Sequence, residues 1–353
     1  MNQDMIQDRI LASLTLAGMG DALGAPTEQW SIAEIAAKYG GLVTSFGEPP
    51  EDTFAGANEG RCAEVTDDAS QMYYLARALI VAGGTLDYEG WVDCLLDWAG
   101  TSPKAGFMGP STAGMVKALQ EGSDTARVGI IGRSSRKMTS VGITNGAAMR
   151  VAPVGLIFPG DIERACKQAL VTCLPSHDTD IAISAACSVA AAVAQAVVPG
   201  RLEDVIAAAV RGADRGEQLA KEHARIVPGA SYRARLDLAL NIACKATDDM
   251  TFMTDIERLV GNSVLAAESV PAALAVVLYA KGDPMRTISV AASMGNDTDS
   301  IATMAGSIVG AMAGTRDLPP KLVSEFRQAN ARDFDLDTMA SGLAGIAWRH
   351  FAK

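Results

Sequence analysis

Two long stretches of this chain, 181–198 and 264–280, are almost wholly apolar or small. Ser184, Ser188 and Gln195 interrupt the first, and Glu268, Ser269 and Pro271 the second. Text this apolar has to leave water, either inside a protein core or in lipid. Both stretches are rich in Ala rather than Leu, Ile or Phe, and Ala has the highest helix propensity. They therefore read as buried core helices and not as membrane spans. Hydrophobic residues make up 49% of the chain but aromatics only 5%. A core of this kind relies on close approach of helix backbones, which small residues permit.

Helical periodicity dominates the remainder. Ile6, Ile10, Leu14 and Ala17 recur at three- and four-residue intervals and predict an apolar stripe along a helix over 5–19. That helix leads into Gly20-Asp21-Ala22-Leu23-Gly24-Ala25-Pro26-Thr27-Glu28, a turn-rich segment with two acids. A helix is expected from Thr66 through Leu79. Others are expected near 88–99, 111–121, 161–173, 180–197, 202–222, 231–245, 254–260, 269–280, 284–293, 300–313 and 319–328. Residues 40–64 read as loop, and Leu42-Val43-Thr44-Ser45-Phe46 is the best candidate for a strand. With no fixed-period repeat and no low-complexity linker, the expectation is a compact, all-α single domain over 1–353.

Composition excludes some functions. A net charge of −11 argues against a nucleic-acid surface, which requires clustered Lys and Arg. The nearest basic patch, Arg133-Ser134-Ser135-Arg136-Lys137, is short and suits a small phosphorylated ligand better. Six cysteines (62, 94, 166, 173, 187 and 244) show no CxxC spacing. The N-terminus lacks a basic and apolar leader. A reduced, cytoplasmic protein is expected, with no membrane contact and no obligate protein partner. With only three histidines, a His-rich zinc site is not expected; His223 and His350 lie in text that reads as exposed helix.

Two acidic turns carry the chemistry. Thr66-Asp67-Asp68 and Asn296-Asp297-Thr298-Asp299-Ser300 each bring several oxygens to a loop-to-helix junction. Hard cations such as Mg²⁺, Mn²⁺ or Ca²⁺ take such ligands. The competing reading is helix capping, the ordinary use of Asp, Ser and Thr at helix starts. A third turn, Thr247-Asp248-Asp249, reads as a plain cap. Spacing alone does not separate the two readings.

The ordered set does. Gly20-Asp21-Ala22-Leu23-Gly24 with Glu28, Thr66-Asp67-Asp68, Asn145-Gly146-Ala147-Ala148-Met149-Arg150-Val151-Ala152-Pro153, Ser176-His177-Asp178 and Gly295-Asn296-Asp297-Thr298-Asp299-Ser300-Ile301-Ala302 together resemble the ADP-ribosylglycohydrolase family over about residues 8–320. The resemblance implies an orthogonal helix bundle with a binuclear cleft for two divalent cations, Mg²⁺ or Mn²⁺. Thr66, Asp67, Asp68 and Asp299 are implied to hold one metal, and Asp297, Asp299 and Ser300 the other. It also implies that Glu28 approaches the metals, that Asn145 and Gly146 line the ligand cleft, that backbone N–H groups at Gly142 meet phosphate, and that His177 lies beside the distal ribose or the phosphates. Three positions depart from the family pattern: Asn296 replaces a usual glycine, Ala69 a usual Thr, and Glu59-Gly60-Arg61-Cys62 a usual Pro-Gly. The implied metal ligands are all intact.

The expected activity is metal-dependent hydrolysis of a ribosyl C1 bond, with Glu28 or Asp67 as general base. An ADP-ribosylated protein side chain or a small ribosyl acceptor is the expected substrate. Nucleosidase-like hydrolysis of a smaller ribosyl compound and a non-catalytic relative of the fold are the alternatives. Lys104–Thr112 reads as a Gly-rich loop that could also cradle phosphate, and Arg150 as either a phosphate partner or a buried ion pair.

Overall fold

Ala-rich, well-capped segments resolve into helices almost throughout. The computed structural model describes residues 1–352. Among these residues there are eighteen α-helices, three short 3₁₀ turns and no strand, with isolated bridges at Ile130–Lys137, Thr144–Leu265 and Thr179–Arg225. Helix starts follow capping chemistry. Asn2 accepts from the Met5 amide, Thr179 from Ala182 and Asp248 from Thr251. Asp248 is thus the plain cap that its sequence suggests, on a helix Asp249–Leu259 longer than expected.

The apolar run that most resembles a membrane span is the central helix, Asp180–Val197. It is the one helix long and apolar enough to cross a membrane among the described residues, and 89% of that window is buried inside the protein. Leu202–His223, Ile162–Cys173 and Thr298–Ala313 pack around it. Cys166, Cys173 and Cys187 are free thiols in this core, packed as small apolar residues.

The first helix, Gln3–Gly24, lies along Thr298–Ala313. A Cβ at Gly306 would collide with the Leu16 carbonyl, and one at Gly24 with the backbone of Asp299. The Thr298 hydroxyl donates to the Gly24 carbonyl at 2.9 Å, and Ser13 Oγ to the Ser307 carbonyl at 2.7 Å. This seam carries the end of the first helix to the start of the second acidic helix, joining parts of the sequence some 270 residues apart.

Three expectations are corrected. Leu42–Phe46 is an irregular loop and not a strand; the Val43 amide bonds the Ser293 hydroxyl at 2.9 Å and finds no neighbouring strand. The 40–64 loop contains one short helix, Phe54–Ala57. Four further helices lie outside the expected set, two of them short, Gly146–Met149 and Ala152–Leu156. Ile32–Tyr39 begins with a Ser31/Glu34 capping box, and Leu336–Phe351 places Met339, Leu343, Ile346 and Ala347 against the core.

The seam predicts contrasting glycine effects. Gly306→Leu should destabilise the fold by about 3 kcal/mol or more, because the backbones must separate. Gly100→Ala, at an exposed helical glycine with open space around it, should stabilise by about 0.5–1 kcal/mol. Urea unfolding of both variants checks the pair.

Candidate functional site

The first acidic turn starts helix Asp67–Val81, and its side chains do not cap it. Thr66 makes no side-chain cap bond. Its hydroxyl donates instead to Asp21 Oδ1 at 2.8 Å, and its amide reaches both Asp21 oxygens at 3.0–3.1 Å. Asp21 also accepts from the Ala69 amide at 2.9 Å. The acid near the end of the first helix therefore holds the whole turn in place. Asp67 Oδ2 accepts from Gln71 Nε2 at 3.0 Å, while Asp68 Oδ1 is buried with no hydrogen-bond partner.

The second acidic turn is shaped by its neighbours. Asn296 has φ of 60°, the left-handed region that Gly and Asn tolerate best, so the departure at this position keeps the turn. Its amide donates to the Trp30 carbonyl at 2.8 Å, and its carbonyl accepts from the Gln29 amide at 2.7 Å. This pairing fixes Glu28 beside the aspartates. The Asp297 amide donates to the Asn262 carbonyl at 3.1 Å, and Asn262 Nδ2 donates to the Met294 carbonyl at 2.7 Å. Asn145 Nδ2 donates both to Asp297 Oδ2 at 2.5 Å and to Ser269 Oγ at 2.8 Å. Asn145 is itself set by its amide bond to the Val264 carbonyl at 2.9 Å.

The two turns meet at the floor of one cleft of about 310 Å³. Carboxylate oxygens of Glu28, Asp297 and Asp299 lie within 4.8 Å of one another. No Lys, Arg or His lines this cleft among the described residues. Burial pushes every one of these acids upward, and repulsion between carboxylates adds to it for all but Asp299. Glu28 rises to about 10, through burial first and then Asp299, Asp297, Asp67 and Asp21. Asp297 rises to about 8 and Asp21 to about 7, each through burial and then Asp299. Asp299 rises to about 6 through burial, and Asp67 and Asp68 rise well above the usual range. Uncompensated buried carboxylates, one orphaned oxygen and a donor set made only of oxygen fit hard divalent cations.

Of the residues expected at this site, Glu28, Asp67, Asp68, Asn145, Gly146, Asp297, Asp299 and Ser300 line the cleft. Thr66 lies just behind, on Asp21. His177 is fully buried and does not line the cleft; it reaches it through Thr144, whose hydroxyl is 3.0 Å from Nε2. Gly142 is a correction. It is buried between Asp178 and Arg225, with its carbonyl accepting from Thr179 at 2.7 Å, so its backbone does not face the cleft. Arg150 bonds neutral partners, Gln71, Thr172 and Ser176, and lies over Trp91, so it is neither a phosphate ligand nor an ion pair. Lys137 pairs with Asp178 at 3.2 Å, while Arg133 and Arg136 are exposed outside the cleft lining. His350 is not on an exposed face: it stacks on Phe158 and bonds the Ile157 carbonyl at 2.8 Å.

The loop that reads as plain, Lys104–Thr112, instead forms a wall. Phe107, Met108, Gly109, Pro110, Ser111 and Thr112 line the cleft, and no side chain caps helix Pro110–Gln120. Its N-terminal amides are a ready anion-binding element. Sequence reasoning also missed Asp21, Gln71 and Asn262 as supports; of these only Asp21, inside Gly20–Gly24, lies in a recognisable motif.

Two outcomes follow from this electrostatics. Mn²⁺ at ~100 times its dissociation constant should stabilise the fold by about 2.7 kcal/mol, and Asp68→Asn should reduce that gain sharply; melting curves with Mn²⁺ or EDTA decide it. Separately, burial and then Arg150 hold the His177 pKa well below its ordinary value. The neutral imidazole thus contributes stability that is full above about pH 6.5 and is lost as pH falls below it. The stability advantage of wild type over His177→Gln should therefore shrink between pH 7.5 and 5.5, by up to ~1.4 kcal/mol per unit below pH 6.5.

Comparison with known proteins gives consistent relatives. Residues 2–350 match the family described as ADP-ribosylglycohydrolase. The Escherichia coli (strain K12) protein described as "Uncharacterized protein YegU" is 32% identical over 335 residues, covering 94% of this chain and 95% of that protein. The "ADP-ribosylhydrolase ARH3" of Gallus gallus is 26% identical over 341 residues, covering 88% of this chain and 87% of that protein. A solved "ADP-ribosylglycohydrolase-related protein complex" superposes with a TM-score of 0.61 at 21% identity, covering 98% of this chain and 99% of that one, and so shares the fold.

Proposed function

The chain belongs to the ADP-ribosylglycohydrolase family, and from its site we propose that it is a divalent-cation-dependent hydrolase that releases ADP-ribose from a modified side chain or small acceptor. The observation that carries this reading is the meeting of Glu28, Asp67, Asp68, Asp297 and Asp299 on one cleft floor without a cationic side chain. Thr66, Asp67, Asp68 and Asp299 would hold one cation, and Asp297, Asp299 and Ser300 a second. Mg²⁺ and Mn²⁺ both suit such oxygen ligands. When bound, such cations orient ribose hydroxyls and make water a better nucleophile at neutral pH.

The chain's own residues perform the remaining work. Asn145 fixes the Asp297 carboxylate, and Asp21 fixes the Thr66–Asp68 turn. Gln71 occupies one oxygen of Asp67, whereas Glu28 has no such tether. With the floor carboxylates neutralised by bound cations, the repulsion that adds to burial in raising the Glu28 pKa is removed. Glu28 would therefore be the better acceptor for the proton of the attacking water as the C1 bond breaks through an oxocarbenium-like state. Phe54, Phe107, Met149 and Val264 exclude water around the ribose. The open amides of helix Pro110–Gln120 face the phosphates of the ligand.

One observation favours hydrolysis of an uncharged nucleoside as the second reading: the cleft offers no Lys or Arg to a diphosphate. Turnover of ADP-ribosyl-arginine, ADP-ribosyl-serine and a nucleoside panel with Mg²⁺, Mn²⁺ or EDTA separates the two. Metal-dependent release of ADP-ribose is expected, with Asp299→Ala reducing kcat by at least ~10³-fold, on the scale of losing a preorganised charged group at a reacting centre. Turnover of nucleosides alone would select the second reading. Six free cysteines support a reducing, cytoplasmic location.

A further inference from the structure

Arg150 is fully buried, yet its hydrogen bonds lead through Gln71 and Ser176 toward two different residues of the cleft lining, Asp67 and Ser111. Nη1 donates to Gln71 Oε1 at 2.8 Å, and Gln71 Nε2 donates to Asp67 Oδ2 at 3.0 Å. Nη2 donates to Ser176 Oγ at 3.2 Å, which stands 2.8 Å from His177 Nδ1. His177 Nε2 stands 3.0 Å from Thr144 Oγ1, and Thr144 donates to Ser111 Oγ at 3.3 Å. Thr144 and Ser111 both line the cleft.

The ends of each arm give the links their direction, since Thr144 donates to Ser111 and is left to accept from His177 Nε2. A guanidinium only donates, so Gln71 must present its carbonyl to Arg150 and its amide to Asp67. On the other arm, Ser176 accepts from Arg150 and gives its own hydrogen to His177 Nδ1. A neutral imidazole accepting at Nδ1 carries its proton at Nε2, and that proton goes to Thr144. Thr144 then donates to Ser111, whose own hydroxyl hydrogen has no acceptor in the chain and is free for the cleft.

We propose that Arg150 is a positioning residue that sets two residues of the cleft lining from one guanidinium: the Asp67 carboxylate on the floor, and a one-way relay that makes Ser111 a donor toward an anionic ligand group such as a diphosphate. This rests on the reading of the cleft as a divalent-cation and ADP-ribose site. The two arms are separable. The Asp67 arm acts on cation affinity, and the Ser111 arm on ADP-ribose affinity once cations are bound.

The test uses the full chain. Nitrogen NMR of ¹⁵N-histidine-labelled protein should show His177 as the Nε2–H tautomer; the Nδ1–H tautomer would overturn the relay. Titration calorimetry with MnCl₂ should show Gln71→Met weakening Mn²⁺ binding by about 10-fold or more, as loss of an outer-shell partner does. Ser176→Ala should leave Mn²⁺ affinity unchanged and weaken ADP-ribose binding at saturating Mn²⁺ by about fivefold, the scale of one hydrogen bond. Unchanged Mn²⁺ affinity in a folded Gln71→Met chain, or equal effects of Ser176→Ala on both ligands, overturns the two-arm assignment. If wild type binds neither Mn²⁺ nor ADP-ribose, the functional reading fails, and the tautomer still decides the relay.

Discussion

Everything at the cleft depends on backbone contact between Gln3–Gly24 and Thr298–Ala313. The two acidic turns can share ligands only if the end of one helix touches the start of the other. Gly24 against Asp299 and Gly306 against Leu16 bring the backbones closer than any side chain would allow. The Thr298 hydroxyl on the Gly24 carbonyl then fixes the register of one helix on the other. The Ala-rich, aromatic-poor composition is the chain-wide form of the same constraint, because close helix packing needs small residues more than bulky ones.

The acids within that seam oppose folding. Asp21, Asp67, Asp68, Asp297 and Asp299 are all buried; burial pushes each upward, and neighbouring carboxylates push all but Asp299 further. A sequence under selection for stability alone would not collect like charges in one buried place. The contrast with Asp248 is instructive: it has the same composition around it, is exposed, and spends its oxygens on the Thr251 amide and hydroxyl. Capping uses up a carboxylate, whereas Asp67, Asp68, Asp297 and Asp299 face the cleft.

Helix positions were largely legible, because capping and 3.6-residue periodicity are local. Leu336–Phe351 was equally periodic, and Ser31–Glu34 equally plain as a capping box; both were readable and went unread. Leu42–Phe46 carries the β-branched Val43 and Thr44 and the aromatic Phe46 that strands favour, but a lone strand has nothing to pair with. The ligand residues were legible through the ordered motifs. Their supports were not: Gln71, Asn262 and Arg150 are defined only by partners 4 to 79 residues away in sequence. The role of Gly142 was misplaced because a glycine turn looks the same in sequence whether it faces a ligand or, as here, an Asp178–Arg225 ion pair.

On the proposed function, the distribution of cationic side chains bears on how an acidic cleft would take an anionic ligand. Lys104 is neutralised by Glu64 at 2.6 Å, Lys137 and Arg225 share Asp178, and Arg150 is sealed among neutral partners. A free lysine or arginine in the cleft would pair with the floor carboxylates and compete with the cation for them. Phosphate recognition on that function would then fall to neutral dipoles, namely the uncapped helix start at Gly109 and the hydroxyls of Ser111 and Thr144. Such donors attract an anion without neutralising the carboxylates, so on that reading the charge needed to hold the floor together would arrive with the divalent cations themselves.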